Sequence, residues 1–308
     1  MSSNNLNKVL VEDEINIIAL FQLAWKAKYF SLLGGVFFLL VFSLYAYFSE
    51  DVYYSEATFI ANSELSPGQP KSLGGLGGLA SLAGINVSSG DNKLQLALQV
   101  ARSKSFTKKF LESNEYDAKI YTSTSWDSET NTLYFDEQRY DTKNKKWQSD
   151  NGKSLKPKNV ELYNAFHKQL LINYDPEKST IKIGFSHYSP YLAKEIVQSF
   201  VHALNESMRE RDRKLATKSI EYLSRELEAT TISNVEKVIT SLIEEKAKSL
   251  MFTNVHEQYV LMSLDPPELP EKASRPNRIL ISIFGFFVGA VVFLIVKLCL
   301  LQSNGSRK

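Results

Sequence analysis

The sequence predicts an α+β membrane protein, with two transmembrane helices flanking an α/β base that carries a long projecting helical hairpin. Three observations predict it. Two uncharged apolar runs, Tyr29–Phe48 and Ile279–Val296, lie near the two ends of the chain. Between them, short alternating segments bounded by turn residues read as strands. From Pro190 onward no proline or glycine recurs until Pro266. Proline suits a first helical position and breaks an interior, so this long interval is free to be helical.

Composition narrows the function classes. Of 308 residues, 36 are Lys or Arg and 34 are Asp or Glu, a formal net charge of +2 with both signs mixed. No basic block points to nucleic acid. The single cysteine, Cys299, lies beside the second apolar run, so the intervening segments hold neither a disulfide framework nor a cysteine zinc site.

Residues 1–28 are a short polar N-terminal segment. Within it, Glu12–Lys28 places Ile15, Ile18, Phe21 (or Gln22) and Trp25 three and four apart, the spacing of an amphipathic helix lying on, or leading into, a membrane. Residues 29–48 are the first span. Twenty uncharged residues cross a hydrocarbon core of about 30 Å. A cleaved signal peptide would have a shorter apolar region and a small-residue cleavage site, whereas this run ends in aromatics followed by Glu50 and Asp51. The second span extends over 279–301 if Lys297 snorkels to the interface. Two spans put both termini on one side. Lys8, Lys26, Lys28, Lys297, Arg307 and Lys308 favour the cytoplasm for that side, against Arg275 and Arg278 on the other.

Beyond the first span, Tyr54–Asn62 reads as a strand. Ser63–Ser89 follows and includes a Gly/Leu-rich segment at 72–85, read as a mobile apolar loop whose Leu73, Leu76, Leu79 and Leu82 could touch lipid or a neighbouring copy. Gly75, Gly77 and Ala80 match a dinucleotide fingerprint in form only, since no strand runs directly into it. Asp91–Ser113 returns to helix, with Leu94, Leu98 and Ala101 on one face and Ser103 capping a second helix that carries Phe106 and Phe110. Residues 121–155 read as irregular hairpins, with a turn at 142–146. Tyr134, Tyr140 and Trp147 there are read as local packing ahead of a sugar-binding surface. Val160–Leu170 is a helix, and Leu170–Tyr174 with Thr180–Ser186 a hairpin.

Ser189 caps and Pro190 begins the projection. Leu192, Ile196, Phe200, Leu204 and Met208 form one apolar line, and Ala216, Ile220, Leu223 and Leu227 another. Between them Arg209–Lys214 is charged on every side, a solvated collar held by pairs such as Glu210–Lys214, or else one lining a space between copies. Thr230–Ser233 breaks the helix, with Ser233 as a fresh cap. Val235, Ile239, Leu242 and Leu250 give the return helix a stripe, and Gln258–Leu264 a strand that rejoins the base sheet. Pro266, Pro267, Pro270 and Pro276 stiffen the approach to the second span. Gly285 and Gly289, a small-xxx-small pair, and Gly34–Gly35 offer close helix contact in lipid.

The residues for catalysis are poor. His167, His187, His202 and His256 lack metal spacing, and neither a G-x-S-x-G nor an H-E-x-x-H motif occurs.

Four stretches carry a family resemblance: EDEINIIALFQLAWKAK at entry, RERD with SIEYL in the rod, LIEEKAKSLMFTNVHEQYV on the return, and DPPELPEKASRPNR running into a glycine-containing span. The chain resembles the Wzz-type chain-length determinants, the polysaccharide co-polymerases of Gram-negative inner membranes. The resemblance covers both ends and the second half, and Glu115–Asn159 carries little of it. It implies a ring-like homo-oligomer in the inner membrane, with residues 49–278 periplasmic, the base at 49–188 and 258–278 and the projection at 189–257, and 302–308 a cytoplasmic tail. It implies a regulator of O-antigen-type chain length in lipopolysaccharide biosynthesis, working with a separate membrane-embedded polymerase and possessing neither cofactor nor enzymatic activity. Contact with the growing polysaccharide fits the same role. Some relatives carry a tyrosine kinase after the second span; this chain ends at Lys308, and that activity is expected to be absent. Gly285, Gly289, the four prolines, Arg209, Arg211 and Arg213 are the expected contacts to other copies or to the partner. The alternative reading is a structural adaptor of capsule or exopolysaccharide export.

Overall fold

The computed structural model describes residues 28–62, 89–255 and 258–305. The amphipathic entry helix, apart from Lys28, and the Gly/Leu-rich segment lie outside the described residues. In chain order the elements are α1 (Lys28–Phe48), β1 (Tyr53–Ala61), α2 (Ser89–Ala101), α3 (Lys104–Ser113), α4 (Tyr116–Tyr121), and the short strands β2 (Ser123–Asp127), β3 (Thr132–Phe135), β4 (Tyr140–Asp141), β5 (Lys146–Trp147), β6 (Ser149–Asp150) and β7 (Lys153–Ser154). Then come α5 (Asn159–Gln169), β8 (Leu170–Asp175), β9 (Thr180–His187), α6 (Pro190–Ala229), α7 (Ser233–Val255), β10 (Leu261–Asp265) and α8 (Arg278–Gly305). They fall into two compact units, a small one with the residues up to Glu50 and from Arg275, and a large one from Asp51 to Ser274.

The small unit is the helix pair α1 and α8. Lys28–Phe48 and Arg278–Lys297 are each long and apolar enough to cross a membrane. Their large apolar side chains, Phe37 and Leu280 among them, are mostly exposed. A water-soluble helix pair would bury such side chains; in hydrocarbon their exposure costs nothing.

The large unit is built on an antiparallel sheet in the order β10–β1–β9–β8. Alternation sends Ala57 and Phe59 of β1 and Ile181, Ile183 and Phe185 of β9 to one face, all buried. That face meets α3, α5 and the start of α6 around Phe200. Its ring lies 5.4 Å from Phe106, 5.4 Å from Phe110 and 5.7 Å from Phe166. On the opposite face the Tyr54 ring lies over Gly184, where a Cβ would come within 2.1 Å of the Tyr54 hydroxyl, so any larger residue would push that ring aside. Between α4 and α5 the chain forms three two-stranded hairpins. Tyr140 and Trp147 sit 5.4 Å apart across one of them, and Trp147 is 6.4 Å from Tyr121. These aromatics are spent on packing, and Tyr134 alone of the three is exposed.

The helical hairpin follows the predicted plan in outline and departs from it in two details. Helix α6 runs 40 residues and α7 returns 23. At about 1.5 Å per residue α6 is roughly 60 Å long. Ser233, expected as a cap, is instead the first helical residue of α7, and the Ile232 carbonyl accepts the Glu236 N–H at 3.0 Å. Of the expected α7 stripe, Ile239 is buried while Val235 and Leu242 are exposed. The packed face is phased through Ile239, Ile243, Leu250 and the fully buried Thr253, because those positions point at α6. Strand β10 begins at Leu261, later than expected, for a reason given below.

Candidate functional site

Helix α6 is launched by three neighbouring residues. Ser189 Oγ accepts the Leu192 N–H at 3.3 Å, and Pro190 is the first helical residue. Nδ1 of His187 accepts the Ser189 N–H at 3.0 Å, and its Nε2 donates to the Lys119 carbonyl at 3.1 Å. With one nitrogen accepting and the other donating, the imidazole is the neutral tautomer. Burial pushes its pKa down to about 4.

Higher on α6, the buried Asn205 fastens the returning chain. Its Oδ1 accepts the Val260 and Leu261 N–H groups at 2.8 and 2.9 Å, and its Nδ2 donates to the Leu261 carbonyl at 3.0 Å. The Val260 N–H thus bonds to a side chain rather than to a strand ladder, and β10 starts at Leu261. A second fastening lies about two turns on. Lys93 of α2 and Asp212 are 2.7 Å apart. The buried Tyr259 donates to Asp212 at 2.7 Å, and the Lys93 ammonium lies 4.2 Å from the centre of its ring. Burial, and then the Asp212 carboxylate, raise the Tyr259 phenol above its ordinary range.

This resolves the charged collar. Asp212 faces inward to Lys93 and Tyr259. Arg209 pairs with Glu206 at 3.3 Å. Glu210 takes both Arg213 and Lys214, the latter at 3.2 Å, and the Lys214 hydrogen bond holds its carboxyl below the usual carboxylate range. Arg211 is left facing an open groove of about 1040 Å³ between α3 and one side of α6. Its α6 wall runs from Gln198 to Lys218 at spacings of three and four, a stripe roughly 30 Å long. Phe106, Phe110 and Ala203 lie at its apolar end, and Lys109 stands on the α3 wall.

The other expected contact residues are dispersed. A Cβ on Gly285 would lie 2.6 Å from Phe42 Cβ, and one on Gly289 would lie 2.4 Å from the Gly34 carbonyl oxygen. Both glycines thus give their small faces to α1 of the same chain, where Ser31 Oγ also donates to the Ala290 carbonyl at 2.8 Å. Pro267 is buried, Pro270 and Pro276 are half-buried and Pro266 is exposed. Within the large unit the extended segment is tied to β1, since Ser55 Oγ donates to the Glu268 carbonyl and the Ser274 N–H to the Val52 carbonyl, each at 2.8 Å. Arg209 and Arg213 serve pairs along α6, while Arg211 alone of the three arginines lines the groove. Among the described residues no group of three His, Cys, Asp or Glu side chains could hold a metal ion.

Sequence reasoning missed Asn205, Lys93, Lys109 and Lys218. Asn205 left a signal: an amide adjoining the apolar line between Leu204 and Met208 must find partners once buried. Lys93 and Lys109 left none, because they meet α6 only through the fold.

No family model matches the chain, and neither does any curated protein. Among solved structures, a full-length bacterial polysaccharide co-polymerase is similar at TM-score 0.37 and 10% identity, over 96% of this chain and 98% of that one. A fragment of WzzB, a polysaccharide co-polymerase from Salmonella Typhimurium, is similar at TM-score 0.28 and 10% identity, over 73% of this chain and 100% of that one. Both of these solved structures are polysaccharide co-polymerases.

Proposed function

We propose that this chain is an inner-membrane regulator of polysaccharide chain length. It acts as a homo-oligomeric scaffold beside a separate polymerase and catalyses no reaction itself. The single observation that carries this reading is the form of α6. One continuous helix is core at its start and stands largely exposed beyond Met208, in a chain that also holds two membrane-length helices. An enzyme would need convergent acid, base or nucleophilic groups in a cleft. Most charged groups of the α6 collar are instead spent on fastening and on neighbouring pairs, and Arg211 faces an open groove. The sequence resemblance supports the O-antigen-type polymer, and the lysines flanking the spans support cytoplasmic termini with the large unit in the periplasm.

A strain deleted for this chain tests the reading. Its surface polysaccharide, resolved on a gel, is expected to lose its modal length distribution while polymer is still made. Loss of all surface polymer would instead assign an adaptor of export, and an unchanged profile would remove both. Imaging of the detergent-solubilised protein is expected to show rings, and a monomer would sink the scaffold.

A further inference from the structure

The groove beside α6 has a charge imbalance that the collar pairs do not use. Its lining carries the cations Lys109, Arg211, Lys214 and Lys218 and the anions Glu206 and Glu210. Both carboxylates are engaged, Glu206 by Arg209 and Glu210 by Arg213 and Lys214. Among the described residues no carboxylate lies within ion-pair distance of Lys109, Arg211 or Lys218. Arg211 and Lys218 stand two turns apart on one face of the helix, with the Glu210-paired Lys214 between them at three and four residues, so positive charge climbs that face. The remaining polar lining is hydroxyl and amide, from Ser113, Asn114, Gln198, Ser199 and Ser207, with one imidazole, His202.

We propose that this groove binds a strand of acidic polysaccharide, a linear glycan carrying carboxylate or phosphate groups. The proposal rests on the reading of the chain as a regulator of polysaccharide length, and assigns that role a contact site and a polymer chemistry. Regularly spaced cations suit regularly spaced anions, and neutral hydroxyl and amide groups suit a hydroxyl-rich backbone. A trough open to solvent and roughly 30 Å long admits a polymer that enters and leaves lengthwise. A second copy of the chain is the less favoured occupant. Val235, Val238 and Leu242, the cluster of exposed apolar side chains that a neighbour would cover, lie on α7, and no α7 residue lines the groove, where Leu215 is the one exposed large apolar side chain.

The test uses the full chain in lipid nanodiscs. The probes are a fluorescent oligogalacturonate, a phosphate-bearing glycan oligomer, and neutral dextran of matched length. At low salt the two acidic probes, or whichever of them carries the matching group, are expected to bind, with affinity falling as salt rises. Dextran is expected to bind at least about tenfold more weakly. The triple variant Lys109→Gln, Arg211→Gln, Lys218→Gln should lose about tenfold or more in affinity for the acidic probe at unchanged circular dichroism. The single variant Arg211→Lys should keep most of it. Binding of neither acidic probe, equal binding of dextran, or a triple variant that binds as well as the parent would each overturn the proposal. A triple variant whose oligomer falls apart in mass photometry, with glycan binding unmoved, would also overturn it and give the groove to a second copy. Binding is measured on purified protein, so it stands or falls separately from the deletion strain's polysaccharide profile.

Discussion

The two halves of α6 share one continuous helix and almost nothing else. From Pro190 to Met208 the helix is core: Ile196, Val197, Phe200, Leu204 and Met208 are all fully buried. From Arg209 to Ala229 one residue, Ala216, is buried, while Leu215 and Tyr222 stand more than half exposed. In the lower half each buried side chain is dictated by what it packs against, and a change of one methylene is felt. In the upper half the helix is held by the return helix and by ion pairs, and its surface is free to answer to something outside the chain. The contrast separates residues that build the core from residues left open to their surroundings.

The largest effect is expected where the lower half is densest. Phe200 is 0% exposed and its ring is surrounded by Phe106, Phe110 and Phe166. Phe200→Ala should cost about 4 kcal/mol, the transfer free energy of the ring plus the cavity it leaves. Denaturant unfolding of the purified chain reads this directly. A loss well under half that size would mean that the aromatic cluster does not organise the base.

The next effect belongs to the border between the halves. Asn205→Ala would leave two backbone N–H groups and one carbonyl without their partner. An expected cost of about 3 kcal/mol follows from desolvated groups left unmade. Hydrogen exchange at Val260 and Leu261 should rise with it, and protection that persists there would show that the return chain is held some other way.

The launch point predicts a pH dependence of similar or slightly smaller size. His187 is neutral and buried, with a folded pKa near 4 against about 6.5 in an unfolded chain. Its contribution is fully present above pH 6.5, because neither state then binds the proton. As pH falls from 6.5 to 4 the unfolded state protonates first, and stability drops by about 3 kcal/mol over that window. Unfolding free energies measured from pH 7 to 4 test the slope. A His187→Gln variant should lose that part of it, and an unchanged slope would take the effect away from His187.

Much of this contrast was legible in the sequence. The apolar line Leu192–Met208, the Ser189–Pro190 start and the break at 230–233 all follow from local chemistry, because capping, proline geometry and periodicity are properties of a few adjacent residues. The two spans follow from length and lack of charge. The fastenings were not legible. Lys93 meets Asp212 across more than a hundred residues of chain, and Lys109 reaches the groove only because α3 packs beside Phe200. The phase of the α7 stripe was misread for the same reason, since Val235 and Leu242 are as apolar as Ile239 and only the position of α6 decides which is covered. The collar shows the limit plainly. Six consecutive residues of similar polarity divide into an inward fastening, pairs along the helix and one groove-facing arginine, and no local rule distinguishes them.

The smallest expected effect falls in the upper half, and it is the one that most sharpens the contrast. Arg213 is half exposed and pairs with Glu210, which Lys214 also holds. Exposed pairs gain little, since water screens the charges and two long side chains lose freedom to meet. Arg213→Gln should therefore leave the unfolding midpoint unchanged within error, and Lys214 should keep Glu210 engaged. The variant should also leave binding of acidic glycan nearly intact, because Arg213 does not line the groove, whereas Arg211→Gln two residues away should weaken it. The pair of variants thus separates position from charge: both remove one positive charge from the same turn of helix. If both weaken glycan binding equally, the upper half acts through its total field. If only Arg211→Gln does, the groove itself is the surface that answers to the polymer.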